Sequence, residues 1–523
     1  MEGKDLETAL NDVWKEKTRK RLIPLRKPTL DYSPETRAVG TSYINILSKD
    51  IKINPEFIKE LKEKGLDYRK SLDGIIEHEI GHYFVMPHSL TIKLLEMTAL
   101  QYTEENKRDI ITNYFNDVAV NLNIILQGNE TSNNLGSVYK NMDDKDSKIG
   151  KLLRAYYHSF NENTDFGADF KDLDDSLKEK FIALGSIDFN SKNKMDITKN
   201  ISAFSYLIAN LIEDKPEGNM FDGDSMPINA ASKEEKRKAL KELAGILKPE
   251  EYKYVYNILN NESGNGYSHE KGNIDSKKPD PAIIEYYKNK ALYYPIQILG
   301  IPLINEETQK ARLSEWNPSD GVRKMNPLRS GGRIIPGVTK RWIEDKYYTY
   351  GQKRKIPDCV IVIDSSGSME RISSGKSYAA IAAVSAAIQY MDNDAKVDVV
   401  NFSSISNVTK YQNEKGVLEA ILEDQQGNTN FPYVELQKLL YEGNKDLVVI
   451  TDGKVDYSHL TNFLNMVDER GKTNRNSFIY IGKDDPDSYN EFINKYNHIR
   501  FHVVSKEEDI PNLVLGDTNY GPK

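Results

Sequence analysis

Two histidines flank a glutamate as His78-Glu79-Ile80-Gly81-His82, and His88 follows shortly after in the stretch "GIIEHEIGHYFVMPHS". Residues i and i+4 share a helix face, so this spacing points two imidazoles at one ion. Glu79, one step round the helix, can then reach a water. That is the arrangement of zinc-dependent hydrolysis with a carboxylate as general base. A second set of candidate ligands lies far along the chain. Asp364, Ser366 and Ser368 supply oxygens from alternate positions of "DSSGS", Thr429 comes from "GNTNF", and Asp452 from "VITDG". These are hard ligands, rich in hydroxyls and poor in charge. They suit Mg2+ or Mn2+, which keep water and accept a ligand from outside.

A zinc site needs a third protein ligand. His88 has the metzincin spacing, but Val85 stands where the turning glycine of that motif belongs. Asp117 is the preferred candidate. The stretch "DIITNYFNDVAVNLNIIL" predicts a helix whose main apolar face is Ile111, Phe115, Val118, Leu122 and Ile125. Asn113, Asp117 and Asn121 form another face, interleaved with Ile110, Tyr114, Val120 and Ile124. Asp117 is therefore expected to be partly buried, where an ionised carboxylate needs a partner such as zinc.

The elements that must position these groups read differently in the two halves. Alternation in "TSYINILSKDIKINPEFI" around "SKD" predicts a pair of short strands, followed by helices over about 70–86 and about 106–126. Residues 150–260 read as helix-rich, without chemistry. From about 356 the runs "CVIVI", "KVDVVNF", "DLVVIT", "NSFIYIG" and "IRFHVV" are nearly continuous apolar strands, as in a parallel sheet covered on both faces. Between them "YAAIAAVSAAIQYM", "GVLEAIL", "PYVELQKLLYE", "LTNFLNMVDE" and "YNEFINKY" read as amphipathic helices. The alternation predicts a doubly wound α/β domain with its loops gathered at the carboxyl ends of the strands.

Composition limits the remaining classes. A net charge of −8 with both signs mixed along the chain offers no basic stripe for phosphates, so no nucleic-acid partner is expected. Cys359 is the single cysteine, which excludes an internal disulfide and suits a reducing compartment. The opening residues lack an apolar signal region, and the most apolar helical run, 378–391, is too short to span a membrane. A cytoplasmic protein without a membrane partner is expected. "SSGKSY" has the end of a phosphate-binding loop, but Glu370 occupies the position of its first glycine.

On the Asp364, Ser366, Ser368, Thr429 and Asp452 pattern, the C-terminal part resembles the von Willebrand factor A (VWA) domain and its metal-ion-dependent adhesion site. That resemblance implies docking, with a partner's carboxylate completing the coordination of the metal. His78-Glu79-x-x-His82 after a strand pair, the Asn113, Asp117, Asn121 helix, and "GGRIIPGVTKRW" leading into the C-terminal domain extend the likeness. Together they resemble zincin-type metallopeptidase-like proteins with a C-terminal VWA domain, which work beside AAA+ ATPases of the MoxR class. The chain is thus expected to be multi-domain, with a helix-rich α+β zincin-like region followed by the α/β domain. The expected divisions are a zincin-like domain at 1–150, a helical extension at 151–260, a linker and irregular connector at 261–355, and the VWA domain at 356–523. The expected function is that of an adaptor or effector that docks a MoxR-class ATPase through Mg2+ and carries zinc on His78, His82 and Asp117. The alternative is an active zinc metallopeptidase with Glu79 as the general base.

Overall fold

In the computed structural model the chain divides into two compact units, Met1–Glu270 and Lys271–Lys523. The structure describes residues 2–20, 24–34, 36, 40–142, 147–212, 228–260, 278–316, 325–326, 339–373, 376–454, 457–471, 474–482 and 495–516. The stretch 261–277 of the expected linker, "GGRIIPGV" at 331–338 and most of the helix expected at 489–496 lie outside the described residues.

The first unit is helix-rich. After α1 (Glu2–Lys20) come β1 (Thr29–Leu30), β2 (Ser42–Asn45) and β3 (Asp50–Ile53), which form a small sheet in the order β1-β3-β2. β2 and β3 are the expected pair of short strands, paired antiparallel through the turn at Lys49, and β1 adds parallel to β3. Helix α2 (Pro55–Glu63) starts on Asn54, whose side chain accepts from the Glu56 N–H. Helix α3 (Tyr68–Phe84) starts on Asp67, which accepts from Arg69 and Lys70. Then follow α4 (Leu90–Ala99), α5 (Glu105–Ile125), α6 (Glu130–Lys140), α7 (Lys148–Phe160), α8 (Asp175–Leu184), α9 (Lys194–Ile208), α10 (Lys233–Ile246) and α11 (Pro249–Asn260).

Helix α3 is the centre of this unit, packed by α1, α5, α6 and β2. Its apolar residues Leu72, Ile75, Ile76 and Ile80 are buried, and so is most of its last turn and a half. Lys17 of α1 is buried between Asp73 (2.7 Å) and Glu77 (2.9 Å) of α3, a cation matched by two carboxylates where an unpaired one would be costly. Close approach of α3 to α5 requires a glycine. A Cβ built on Gly81 would stand 2.3 Å from Cγ1 of Val120.

In the second unit β7 (Cys359–Asp364), β8 (Val397–Phe402), β9 (Ser406–Thr409), β10 (Asp446–Thr451), β11 (Asn476–Ile481) and β12 (Arg500–Val504) form one sheet. Its order is β12-β11-β10-β7-β8-β9, parallel except for the antiparallel edge strand β9. Every residue of β7, β8 and β10 is buried, which explains their unbroken apolar runs. Helices lie on both faces. α13 (Tyr378–Met391) and α14 (Glu414–Ile421) pack on one. On the other, Leu436 and Leu439 of α15 (Tyr433–Tyr441) and Phe463 and Val467 of α16 (Tyr457–Gly471) meet Val360, Val362, Val400 and Val449.

The expected connector contains regular structure. α12 (Pro281–Ala291) packs on α13, and β4 (Gln297–Ile298) pairs with β13 (Val514–Leu515). The Arg475 guanidinium, paired with Asp446 in the core, also donates to the carbonyls of Leu299 and Gly516. β5 (Ile301–Glu315) and β6 (Lys340–Lys355) form a long antiparallel ribbon. Among the described residues, no helix is long and apolar enough to cross a membrane.

Candidate metal centres

Helix α3 presents His78 and His82 to Asp117 of α5, and the three side chains converge. The Nε2 atoms of the two histidines are 3.1 Å apart, and Asp117 Oδ1 lies 3.4 Å from one and 3.3 Å from the other. Four ligands about 2.0 Å from a tetrahedral ion are separated by about 3.3 Å, so this triangle has the dimensions of a zinc site's face. Among the described residues it is the one cluster of three or more His, Cys, Asp or Glu side chains that could hold a metal ion.

The outer ring atoms are engaged in the sense that ligation needs. His78 Nδ1 lies 2.8 Å from Asn121 Oδ1, and His82 Nδ1 lies 2.8 Å from the Met86 carbonyl. With protons on both Nδ1 atoms, both Nε2 lone pairs face Asp117. Three buried acceptors this close repel unless a positive charge joins them, and either a proton or a metal ion serves. Burial works against charge on Asp117 and on His82, yet their mutual attraction prevails. Burial notwithstanding, hydrogen bonds from His78 and His82 hold the Asp117 carboxyl below the usual carboxylate range. Burial likewise opposes the His82 cation, but Asp117, Glu79 and the Met86 carbonyl raise its pKa.

Glu79 is 1% exposed, and its Oε1 accepts from the Ser42 hydroxyl of β2 at 2.6 Å. Burial pushes its carboxyl above the usual range, against the pull of the two imidazoles and Ser42. His88 is exposed, its Nδ1 3.1 Å from the Val85 carbonyl, and it is not part of the cluster. Asn113 is half-buried, and Asn121 is wholly buried.

In the second unit Asp364 ends β7, and its Oδ1 accepts from the Ser366 N–H at 2.9 Å. The Ser366 and Ser368 hydroxyls are 3.2 Å apart. The loop carrying Thr429 is joined to this one, since Gly367 N–H donates to the Gly427 carbonyl (2.9 Å) and Gln426 N–H to the Ser365 carbonyl (3.0 Å). Gly427 has φ +106°, and a Cβ there would meet the Ser404 hydroxyl at 2.6 Å, so the tight return needs glycine. From β10, the Thr451 hydroxyl donates to Asp364 Oδ2 at 2.7 Å, and Asp452 follows, 8% exposed. Asp364 feels that neighbour: burial first, and the Asp452 charge in addition, push its carboxyl up. Two carboxylates of like charge and the serine hydroxyls form a hard-oxygen set that a divalent cation would suit.

Several participants carry no motif. Ser42 and Thr451 make contacts set by tertiary packing, and the Met86 carbonyl, four residues past His82, meets that ring where the chain leaves α3. Thr451 had a local signal, as the residue before Asp452 at the end of a strand. No protein-family model matches the chain, and no curated protein matches it in sequence.

Proposed function

We propose that this protein is a two-part metal-dependent effector. Its C-terminal unit is a VWA-type module that holds Mg2+ or Mn2+ with Asp364, Ser366, Ser368, Thr429 and Asp452, and docks a partner's carboxylate. Its N-terminal unit is a zincin-like zinc centre on His78, His82 and Asp117. The observation that carries the docking role is the joining of separate loops at the carboxyl ends of β7, β8 and β10 around the buried Asp364. A ligand set with so few charges leaves the cation able to gain from one more carboxylate, and that carboxylate belongs to another protein. A MoxR-class AAA+ ATPase is the partner to which the family resemblance points. The chain's own "SSGKSY" stretch lacks the first glycine of a phosphate-binding loop, so mechanical work on a client would come from such a partner. The test is a pull-down from the native host with wild type and the Asp364→Ala variant, each with Mg2+ and with chelator. Mg2+-dependent recovery of an ATPase by wild type alone supports the role. Equal recovery under all four conditions contradicts it.

A second reading, zinc peptidase, is favoured by Glu79 beside the ligand triangle. Zinc, when bound, supplies Lewis acidity toward water and a scissile carbonyl. The chain's own contribution is the carboxylate. Ser42 orients Glu79, and burial raises its proton affinity toward that of a working general base. Glu79→Gln should keep its zinc and lose all cleavage of a peptide library. Undiminished cleavage by that variant would rule out the assigned base.

A further inference from the structure

Behind His78 lies a second layer of polar side chains. Asn121 Oδ1 accepts from His78 Nδ1, while Asn121 Nδ2 donates to the hydroxyls of Tyr139 at 2.6 Å and Tyr157 at 3.1 Å. His78, Asn121, Tyr139 and Tyr157 are all wholly buried. They come from α3, α5, α6 and α7, with the two tyrosine rings meeting edge to face at 5.5 Å. A buried amide in such a place does more than fill space, because its two ends have opposite hydrogen-bonding character.

We infer that Asn121, held by Tyr139 and Tyr157, is the positioning residue that selects the metal-binding tautomer of His78. With Oδ1 toward the ring, the imidazole proton sits on Nδ1 and the Nε2 lone pair faces His82 and Asp117. With the amide turned over, an N–H would face Nδ1, the proton would move to Nε2, and that nitrogen would donate to Asp117 Oδ1 instead of ligating. The structure adopts the first arrangement, with both hydroxyls within reach of Asn121 Nδ2 and Oδ1 on His78. Outer partners of this kind typically change metal affinity by about 10–100-fold when removed.

The inference rests on the zinc reading of the cluster, and the experiment separates the two. Zinc affinity of the full chain is measured by competition with a chromophoric chelator, and the visible spectrum of the Co2+ form is recorded beside it. Asn121→Leu keeps the approximate volume and removes the acceptor, whereas Asn121→Asp keeps an acceptor toward His78. Asn121→Leu should bind zinc about 10–100-fold more weakly and alter the Co2+ spectrum, while Asn121→Asp stays within about threefold of wild type. Tyr157→Phe, which leaves the packing in place, should fall between them. Metal-free melting curves identify any variant that has not folded, and Tyr157→Phe then carries the test. Equal zinc affinity in wild type, Asn121→Leu and Tyr157→Phe would overturn the inference, and so would equal losses in folded Asn121→Leu and Asn121→Asp. Undiminished zinc binding by His78→Ala would instead overturn the zinc reading beneath it.

Discussion

The Ser42 hydroxyl donates to Glu79 Oε1 at 2.6 Å, fastening edge strand β2 to the histidine-bearing helix at the carboxylate next to His78. Removing a donor from a buried carboxylate costs about 1–3 kcal/mol. Ser42→Ala should therefore lower the denaturation free energy by about that amount, and Ser42→Thr should largely retain it. Urea unfolding of both variants measures the difference, and an unchanged midpoint for Ser42→Ala would show that the contact contributes nothing.

Gly81 and Val120 set the distance between the helices that carry the ligands. Gly81→Ala would press on Val120, whose branched side chain has little rotamer freedom. The expected cost is about 1–3 kcal/mol, as for other overpacked sites. Since Val120 is one turn from Asp117, zinc content should fall with stability, and Val120→Ala in the same chain should restore both. Thermal melts together with metal analysis of the single and double variants decide the matter.

Much of this arrangement was legible in the sequence, for definite reasons. A helical repeat makes His78 and His82 neighbours, and the second face of the 109–126 stretch singled out Asp117 because apolar residues interleave with it. Covered parallel strands leave unbroken apolar runs, so β7, β8 and β10 were visible, and the "DSSGS" loop followed. Contacts between distant segments leave no periodic trace. Ser42 is an ordinary strand serine until β2 lies against α3, and Tyr139 and Tyr157 are two tyrosines among 31. The segment before 356 read as a connector because α12 and β4 are short, and "NEETQKA" in β5 has neither strand alternation nor a helical stripe. What places α12 is again tertiary: the Tyr287 hydroxyl donates to the Ile372 carbonyl and accepts from Ser377 N–H.

In the second unit, burial of Asp364 and secondarily the charge of Asp452 disfavour an ionised Asp364 carboxylate without a metal. Asp364→Asn should melt at or above the wild-type temperature without Mg2+. Wild type should then gain stability as Mg2+ is added, by about 2.7 kcal/mol at a hundredfold excess over Kd, and the variant should gain none. Equal Mg2+-induced shifts would contradict the ligand assignment.

His502 supplies a pH dependence independent of either metal centre. Burial, and secondarily Arg500, push its pKa down to about 4. In the unfolded chain it titrates near 6.5, so between these values the unfolded state binds the extra proton. Its contribution is complete above about 6.5 and declines as pH falls toward about 4. Melting curves between pH 7.5 and 4.5 should show a shallower acid decline for His502→Gln than for wild type, and parallel curves would refute this contribution.

The zinc centre proposed for the first unit is built on His78, His82 and Asp117. Its most direct test is metal analysis of the purified full chain with three single variants. About one zinc per chain is expected for wild type and for His88→Ala, with most of it lost in His78→Ala and in Asp117→Ala. A wild type without zinc, or loss in His88→Ala with retention in Asp117→Ala, would contradict this ligand set.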